Sequence, residues 1–284
     1  MNRLKLFLNE LIYSSGFYGT TRKIFSKKGK YILMFHGVSY NRHKGINKED
    51  QPHIVLEEFE LILNWLMKRF DFLSLEDAFN NNKPGVLLTF DDGFNNNYSN
   101  VYPLLKKYKV PGLFFISTQH VKDPNNWLRF INNNNKGKNF TKNISKEYKS
   151  DFFDGISEKN LKKMASDSLI TIGSHTVTHP VLTKCSDKEL LIELKKSKSY
   201  LEKIINKKID AFAYPFGIYD ERVLSHVKKA GYKIAFGTDV INKIGSHLYE
   251  IPRIGIYSNK KSYLSAKLSG LYLKPVKITF PTIE

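Results

Sequence analysis

The chain has 284 residues, 41% of them hydrophobic, which is enough to bury at least one sizeable core and excludes disorder over the whole length. Cys185 is the single cysteine, so a scaffold stapled by disulfides within the chain is also excluded. The 45 basic and 27 acidic residues give a formal charge of +18, which favours phosphates, acidic glycans or anionic lipids as partners and is equally typical of a solvated lysine-rich surface.

The N-terminal segment, residues 1–30, is basic and amphipathic. Its apolar residues stand at helical spacing among arginines and lysines: Leu4, Phe7, Leu8, Leu11 and Ile12. The pattern predicts a helix that either packs on the body of the domain or lies on an anionic membrane surface. Asn9 and Glu10 interrupt the apolar run, so we expect neither a membrane-spanning helix nor a cleavable signal peptide.

Residues 31–257 alternate short apolar runs with longer segments of helical period, which is typical of a parallel sheet connected by helices. The apolar runs are residues 31–35, 72–75, 86–90, 113–117, 169–174, 211–214, 234–237 and 251–256. The helical segments are residues 56–69, 96–108, 157–165, 187–205 and 220–230. We predict one α/β domain, a single distorted (β/α) barrel with seven or eight parallel strands.

Two further segments depart from this alternation. Residues 123–154 are rich in Asn and Lys and show no period, so they are predicted to form an insertion or long loop. The obvious apolar anchors of that loop are Trp127, Leu128 and Phe130. Residues 258–284 form a C-terminal amphipathic tail, which predicts a helix able to pair with the N-terminal one.

Residues that could bind a metal or transfer a proton follow three of the apolar runs. They come after the runs 31–35, 86–90 and 169–174, in that order: His36; Asp91, Asp92 and Gly93; His175 and His179. In a barrel of this type, residues just after the strands converge on one rim. We therefore expect these side chains to share a site.

Two histidines four positions apart and one carboxylate can bind a divalent metal and leave positions open for water. Alone, the pair His175 and His179 arises often by chance, and Asp-Asp-Gly alone is more typical of a turn or helix cap. Their joint occurrence after two strands is far more specific. Neighbouring aspartates can serve one pocket if the chain bends, which Gly93 permits, so one could bind the metal while the other accepts a proton from water.

These residues resemble the motifs of the NodB-homology polysaccharide deacetylases, also called carbohydrate esterase family four. Residues 89–93 match as Thr-Phe-Asp-Asp-Gly, residues 175–179 as His-Thr-Val-Thr-His and, more loosely, residues 213–217 as Ala-Tyr-Pro-Phe-Gly. The resemblance covers residues 31–257, and it is closest to the permuted branch that is similar to poly-N-acetylglucosamine deacetylases. It implies that Asp91 is the catalytic base. It also implies one divalent metal, zinc by default with cobalt, nickel or iron as alternatives, on three ligands: Asp92, His175 and His179.

The third motif departs from the family pattern. The resemblance implies that Pro215, Phe216 and Gly217 bind substrate, with the backbone N–H of Phe216 donating to the oxyanion. The family carries an arginine that orients the base where this chain has Ala213. We expect Arg253, at the end of another predicted strand, to supply the missing cation.

A second departure concerns the general acid. The family's usual late histidine has no counterpart after Pro252, whereas the permuted branch has an acid histidine near the start of the domain, which His36 matches. In a closed barrel the first and last strands are neighbours, so a group moved between the chain ends can occupy nearly the same place. The alternative is that His36 merely ends a strand.

The resemblance implies a bacterial hydrolase that removes N-acetyl groups from amino sugars of a polysaccharide or cell-surface glycan precursor and releases acetate. Two alternatives stay open: an O-acetyl esterase or non-sugar amidase of the same fold, and a glycan-binding protein with weakened catalysis. Without an export signal we expect a cytoplasmic enzyme acting on an N-acetylated or lipid-linked saccharide, peripheral at the inner membrane face. The sequence holds no recognition helix or zinc knuckle, so nucleic acid is not an expected partner.

Overall fold

The computed structural model describes residues 3–25, 29–41, 53–80, 83–127, 146–238 and 248–270. Its central strands are β1 (Lys30–Phe35), β4 (Gly85–Phe90), β5 (Gly112–Ile116), β6 (Ile170–Ser174), β7 (Ala211–Ala213), β8 (Ile234–Phe236) and β9 (Ile254–Gly255). They form one sheet of seven parallel strands in the order β8-β7-β6-β5-β4-β1-β9. Two short strands, β2 (Val38–Ser39) and β3 (Ile54–Val55), pair separately. The predicted (β/α) barrel with seven or eight parallel strands is confirmed.

Helices cover the outer side of this sheet and the chain ends. They are α1 (Arg3–Ser14), α2 (Phe17–Phe25), α3 (Leu56–Met67), α4 (Leu75–Asn80), α5 (Tyr102–Tyr108), α6 (Thr118–Lys122), α7 (Lys146–Phe152), α8 (Glu158–Ala165), α9 (Asp187–Leu191), α10 (Ser197–Ile205), α11 (Glu221–Lys229) and α12 (Lys261–Lys267). A π-helical turn, Ile192–Lys196, joins α9 to α10. The N-terminal ends of α8, α9 and α11 are capped by Ser157, Ser186 and Asp220. The side-chain oxygen of each accepts a hydrogen bond from an N–H group of the first turn.

One predicted strand is not part of the sheet. Residues 72–75 contribute only a bridge between Phe72 and Val86, and the chain then enters α4. The reason is the register of β4. Its partner β5 joins from Thr89 onward, so the segment around Phe72 pairs only with the first part of β4, beside Val86.

The last strand brings the two sides of the sheet together. Ile251 bridges to Phe236 of β8, and three residues further on Ile254 pairs with Leu33 of β1. The backbone N–H of Ile251 donates to Ala235 O at 3.0 Å, and that of Ile256 donates to Met34 O at 3.0 Å. Residues 251–256 therefore span from β8 to β1, and the first and last strands are neighbours.

The alternation of side chains along β4 sets up the site. Val86, Leu88 and Phe90 pack in the layer between sheet and helices, whereas Leu87 belongs to a separate inner cluster with Phe115 and Phe236. Because successive side chains of a strand point to opposite faces, Thr89 and Asp91 share the inner side with Leu87. The direction of β4 at its end thus points the Asp91 side chain toward the middle of the barrel.

The terminal segments and the insertion are described in part. Helix α12 packs against α1 and α2, so the two ends of the chain meet. In the predicted insertion, Trp127 is buried and α7 follows, while Leu128 and Phe130 lie outside the described residues, as do residues 271–284 of the predicted tail. Within the described ranges no helix combines the length and the apolar character needed to cross a membrane.

Candidate active site

The chain bends sharply where β4 ends. Asp92 and Gly93 both have left-handed backbone conformations, with φ of 77° and 82°. A β-carbon on Gly93 would lie 3.1 Å from Cγ2 of Ile116, so the turn also passes close to β5. The bend begins one residue earlier than the sequence predicts, at Asp92 itself. As a result, Asp91 keeps the inward direction of the strand and Asp92 turns toward the histidines.

Arg253 meets Asp91 in a buried two-point ion pair. Its Nη1 and Nη2 lie 2.6 and 2.8 Å from the two carboxylate oxygens, and the arginine is 0% exposed. The same guanidinium donates through Nε to Gly237 O at 2.9 Å and through Nη1 to the hydroxyl of Thr89 at 3.2 Å. The central guanidinium carbon, Cζ, lies 5.2 Å from the centre of the Phe115 ring. The structure thus pairs Asp91 with the positive charge of Arg253, which directly precedes β9.

This pairing keeps Asp91 ionised. Burial alone would raise the pKa of the carboxyl, but the charges of Arg253 and His175 and the hydrogen bonds of the guanidinium outweigh burial and hold the pKa below its usual value. A carboxylate held in this form, with both oxygens fixed, can accept a proton.

Asp92, His175 and His179 form a compact group. Oδ1 of Asp92 lies 3.6 Å from Nε2 of His175 and 3.5 Å from Nε2 of His179, and the three possible ligand atoms all lie within 4.8 Å of one another. The other ring nitrogen of His175, Nδ1, donates to the carbonyl oxygen of Ala213 at 2.8 Å. That bond directs Nε2 toward Asp92, as an outer hydrogen bond does for a metal-binding histidine.

The donor set fits a divalent cation. All three side chains are buried. Burial, and then the charge of Asp91, raise the pKa of Asp92 well above its usual value, while burial lowers the pKa of His179 well below its usual value. Neutral imidazoles are the form that binds a metal, and a cation here would offset the cost of burying the second carboxylate.

A strained loop carries the two histidines. Thr176 and His179 have φ of 69° and 60°. The Thr176 hydroxyl accepts a hydrogen bond from the His179 backbone N–H at 3.0 Å. Glu193, in the π-helical turn, accepts from the N–H groups of Val177 and Thr178 at 2.8 and 2.9 Å. The buried Glu193 therefore holds the loop, a role that sequence reasoning missed because nothing in the residues around it marks a buried acid.

His36 lies next to Asp91 because β1 and β4 pair in register from Lys30 to Phe35, and the Asp91 N–H donates to Phe35 O at 3.0 Å. Burial lowers the pKa of His36 to about 4, Asp91 partly opposes this, and Arg253 and His175 reinforce it. The imidazole is thus neutral near pH 7, and its Nδ1 is buried without a hydrogen-bond partner among the described residues.

The third motif follows β7, which is next to β6 in the sheet. Phe216 has φ of 58°, and its half-exposed ring lies 4.7 Å, centre to centre, from that of His179. Gly217 has φ of 68°, and a β-carbon there would lie 2.1 Å from the hydroxyl oxygen of Thr238. Pro215, the preceding residue, is buried. The structure therefore brings Pro215, Phe216 and Gly217 to the Asp-His-His group.

His120 is a second residue that the sequence analysis missed. Its Nδ1 lies 2.7 Å from the carbonyl oxygen of Asp92, so Nδ1–H donates to that carbonyl. The ring stands edge-on to Trp127 with centres 4.9 Å apart, and Trp127 in turn stands edge-on to His179 at 5.4 Å. His120 follows β5 at the same rim as the other residues. The reasoning applied to β4 and β6 would have found it.

Comparison with known proteins identifies the family. Residues 79–235 match the family model described as polysaccharide deacetylase, and the chain belongs to that family. It is 32% identical over 236 residues to the poly-beta-1,6-N-acetyl-D-glucosamine N-deacetylase of Staphylococcus aureus, a match that covers 76% of this chain and 72% of that protein. The predicted resemblance to the NodB-homology deacetylases is confirmed. The chain is accordingly a polysaccharide deacetylase, a hydrolase.

Solved structures show the same fold. The Streptococcus pyogenes deacetylase PplD in complex with acetate superposes with a TM-score of 0.63 at 25% identity and covers 84% of this chain and 98% of its own. The structure of IcaB from Ammonifex degensii gives a TM-score of 0.64 at 21% identity and covers 85% of this chain and 97% of its own.

Proposed function

We propose that this protein is a metal-dependent N-deacetylase of a poly-N-acetylglucosamine-type glycan. The observation that carries the proposal is the buried pair of Asp91 and Arg253 next to the group of Asp92, His175 and His179. The Staphylococcus aureus relative is a poly-beta-1,6-N-acetyl-D-glucosamine N-deacetylase, which supports both the N-acetyl bond and the sugar. Products are acetate and a free amino sugar.

Asp92, His175 and His179 would hold one divalent ion, with zinc as the default and cobalt, nickel or iron as alternatives. Such an ion supplies a Lewis acid for the acetamide carbonyl and lowers the pKa of water. Asp91 accepts the proton of the attacking water, and Arg253 orients its carboxylate for that transfer. A positioned general base contributes about 10²- to 10⁴-fold in rate.

The backbone N–H of Phe216 stabilises the oxyanion. Its positive φ turns the backbone at the end of β7, beside His179, where the carbonyl carbon is attacked. The N–H of Phe216 donates to the developing oxyanion, a contribution of about 10²- to 10³-fold. Pro215 and Gly217 fix the conformation of this turn on either side.

His36 delivers the proton that the leaving nitrogen needs. Since its pKa of about 4 makes it neutral in the free enzyme, it must receive a proton during the cycle before it can donate one. Asp91, whose charge favours protonated His36, is the proposed source, because it has taken up the proton of the attacking water. Water is consumed, the C–N bond breaks, and the amine leaves with its new proton.

Acetate release tests this proposal. Chelator-stripped protein is assayed with and without zinc or cobalt on β-1,6-linked N-acetylglucosamine oligosaccharides and on an O-acetylated polysaccharide. We expect metal-dependent release from the N-acetyl substrates, lost in His175→Ala. Release from the O-acetyl substrate alone would favour an esterase, and metal binding without any release would favour a glycan-binding protein.

The place of action is a further part of the proposal. We expect a lipid-linked saccharide precursor as substrate, on the cytoplasmic side of the inner membrane. The charge of +18 and the basic segment of residues 1–30 support this, because both attract anionic surfaces. Equal turnover of free and lipid-linked oligosaccharides would argue against the lipid-linked substrate.

A further inference from the structure

Helix α1 turns an apolar stripe outward. The stripe consists of Phe7, Leu8, Leu11 and Ile12, which are 62%, 47%, 50% and 38% exposed. Their spacing puts them on one face of the helix. Phe17, at the start of α2, adds a further ring that is 51% exposed. The four apolar side chains of α1 are thus grouped on one exposed face, which is unusual for a protein facing only water.

The opposite side of α1 is held to the domain by polar contacts. The Ser262 hydroxyl, on α12, donates to the carboxylate of Glu10 at 2.5 Å, and the hydroxyl of the buried Tyr18 donates to the side-chain oxygen of Asn9 at 2.6 Å. A surface helix of a water-soluble domain normally buries its apolar face and exposes its polar one. In α1 this arrangement is reversed, so folding leaves the apolar stripe available for another partner.

The two helices that contact α1 carry exposed basic side chains. Lys23 on α2, Lys261 on α12 and the preceding Lys260 are exposed, and the carboxylate of Glu10 is engaged by Ser262. A second copy of this chain would bring the same charge of +18 to the contact. An anionic lipid surface offers both an apolar interior for the stripe and negative head groups for the lysines.

We propose that α1 lies in the interface of an anionic bilayer, with the apolar stripe inserted beneath the head groups and the lysines of α2 and α12 above it. The enzyme is then peripheral, and α1 is parallel to the membrane plane. The inference goes beyond the proposed reaction and does not depend on its chemistry.

Vesicle sedimentation of the full chain tests the inference. The probes are vesicles of phosphatidylglycerol and phosphatidylcholine in equal parts, and vesicles of phosphatidylcholine alone. We expect binding to the anionic vesicles, weakened by high salt, and at least about tenfold weaker binding for Phe7→Ser/Leu11→Ser. The matched control is Leu61→Ser/Ile192→Ser, because Leu61 and Ile192 are 51% and 37% exposed on other helices. That control should bind like the unsubstituted protein.

Several outcomes would overturn the inference. They are absence of binding by the unsubstituted chain, equal loss in the control variant, and a dimer in solution that Phe7→Ser/Leu11→Ser dissociates. Binding that emerges only after deletion of residues 271–284 would assign the stripe to that segment instead. Acetate release from a soluble oligosaccharide without vesicles should be the same for both double variants, so a failure of the proposed reaction is recognised separately.

Discussion

Arg253 and Asp91, 162 positions apart, form a two-point hydrogen-bonded ion pair with N–O distances of 2.6 and 2.8 Å. The pair joins the strand that closes the barrel to the strand that carries the proposed base. It therefore links stability to catalysis, because the same contact offsets the burial of Asp91 and fixes its orientation.

Breaking this pair should harm both properties. Arg253→Met leaves a buried carboxylate without its cation, and we expect a loss of about 3–5 kcal/mol in the free energy of unfolding. We also expect kcat to fall at least about 100-fold, because the base loses its orientation. Urea unfolding and initial rates measure the two effects. In Asp91→Asn/Arg253→Met much of the stability should return but none of the activity, and wild-type kcat in Arg253→Met would exclude Arg253 from the mechanism.

His120 should affect metal binding through Asp92. Replacement by leucine removes the N–H that donates to the Asp92 carbonyl, and outer partners of this kind typically change metal affinity about 10- to 100-fold. His120→Asn keeps a donor of similar reach and should recover part of the affinity. Zinc competition with a chromophoric chelator measures the Kd, and thermal unfolding of the metal-free proteins reports structural damage. If asparagine and leucine have equal effects, the hydrogen bond has no positioning role.

Glu193 should hold the histidine loop. Glu193→Gln replaces a carboxylate that accepts two backbone N–H groups by a neutral amide, and we expect a loss of about 1–3 kcal/mol in stability together with weaker zinc binding. Glu189→Gln is the control, because the Glu189 carboxylate, on α9, accepts hydrogen bonds from the N–H and hydroxyl of the exposed Ser186, which caps that helix. The control should cost at most about 1 kcal/mol and leave the zinc Kd unchanged. Matching effects in the two variants would contradict the assignment.

Gly217 should tolerate no side chain. In Gly217→Ala the new β-carbon would lie 2.1 Å from the Thr238 hydroxyl oxygen, so the turn that carries the Phe216 N–H must shift and kcat should fall at least about tenfold. Gly231→Ala has a similar positive φ of 81° but meets only one side-chain atom at 4.0 Å. It should cost about 1 kcal/mol in stability through backbone strain, with unchanged kcat. Equal kcat values for the two variants would show that the turn is not sensitive.

Local sequence patterns determined much of this protein. Alternating apolar runs and helical periods are properties of short segments, so they predicted the parallel barrel, and the motifs at the strand ends predicted which residues would meet. The run 72–75 shows the limit of this reasoning. It has the composition of a strand, but the register of β5 on β4 leaves it only a bridge at Val86.

The tertiary structure decided the contacts between distant segments. The sequence around Arg253 does not identify Asp91 as its partner. The two residues meet because residues 251–256 run from β8 to β1. Glu193 reaches the histidine loop only through the packing of its helix, and the outward direction of the α1 stripe depends on the polar contact between Glu10 and Ser262. The hydrophobic period of a sequence predicts that a helix has an apolar face. Only the tertiary structure shows whether other parts of the chain cover that face.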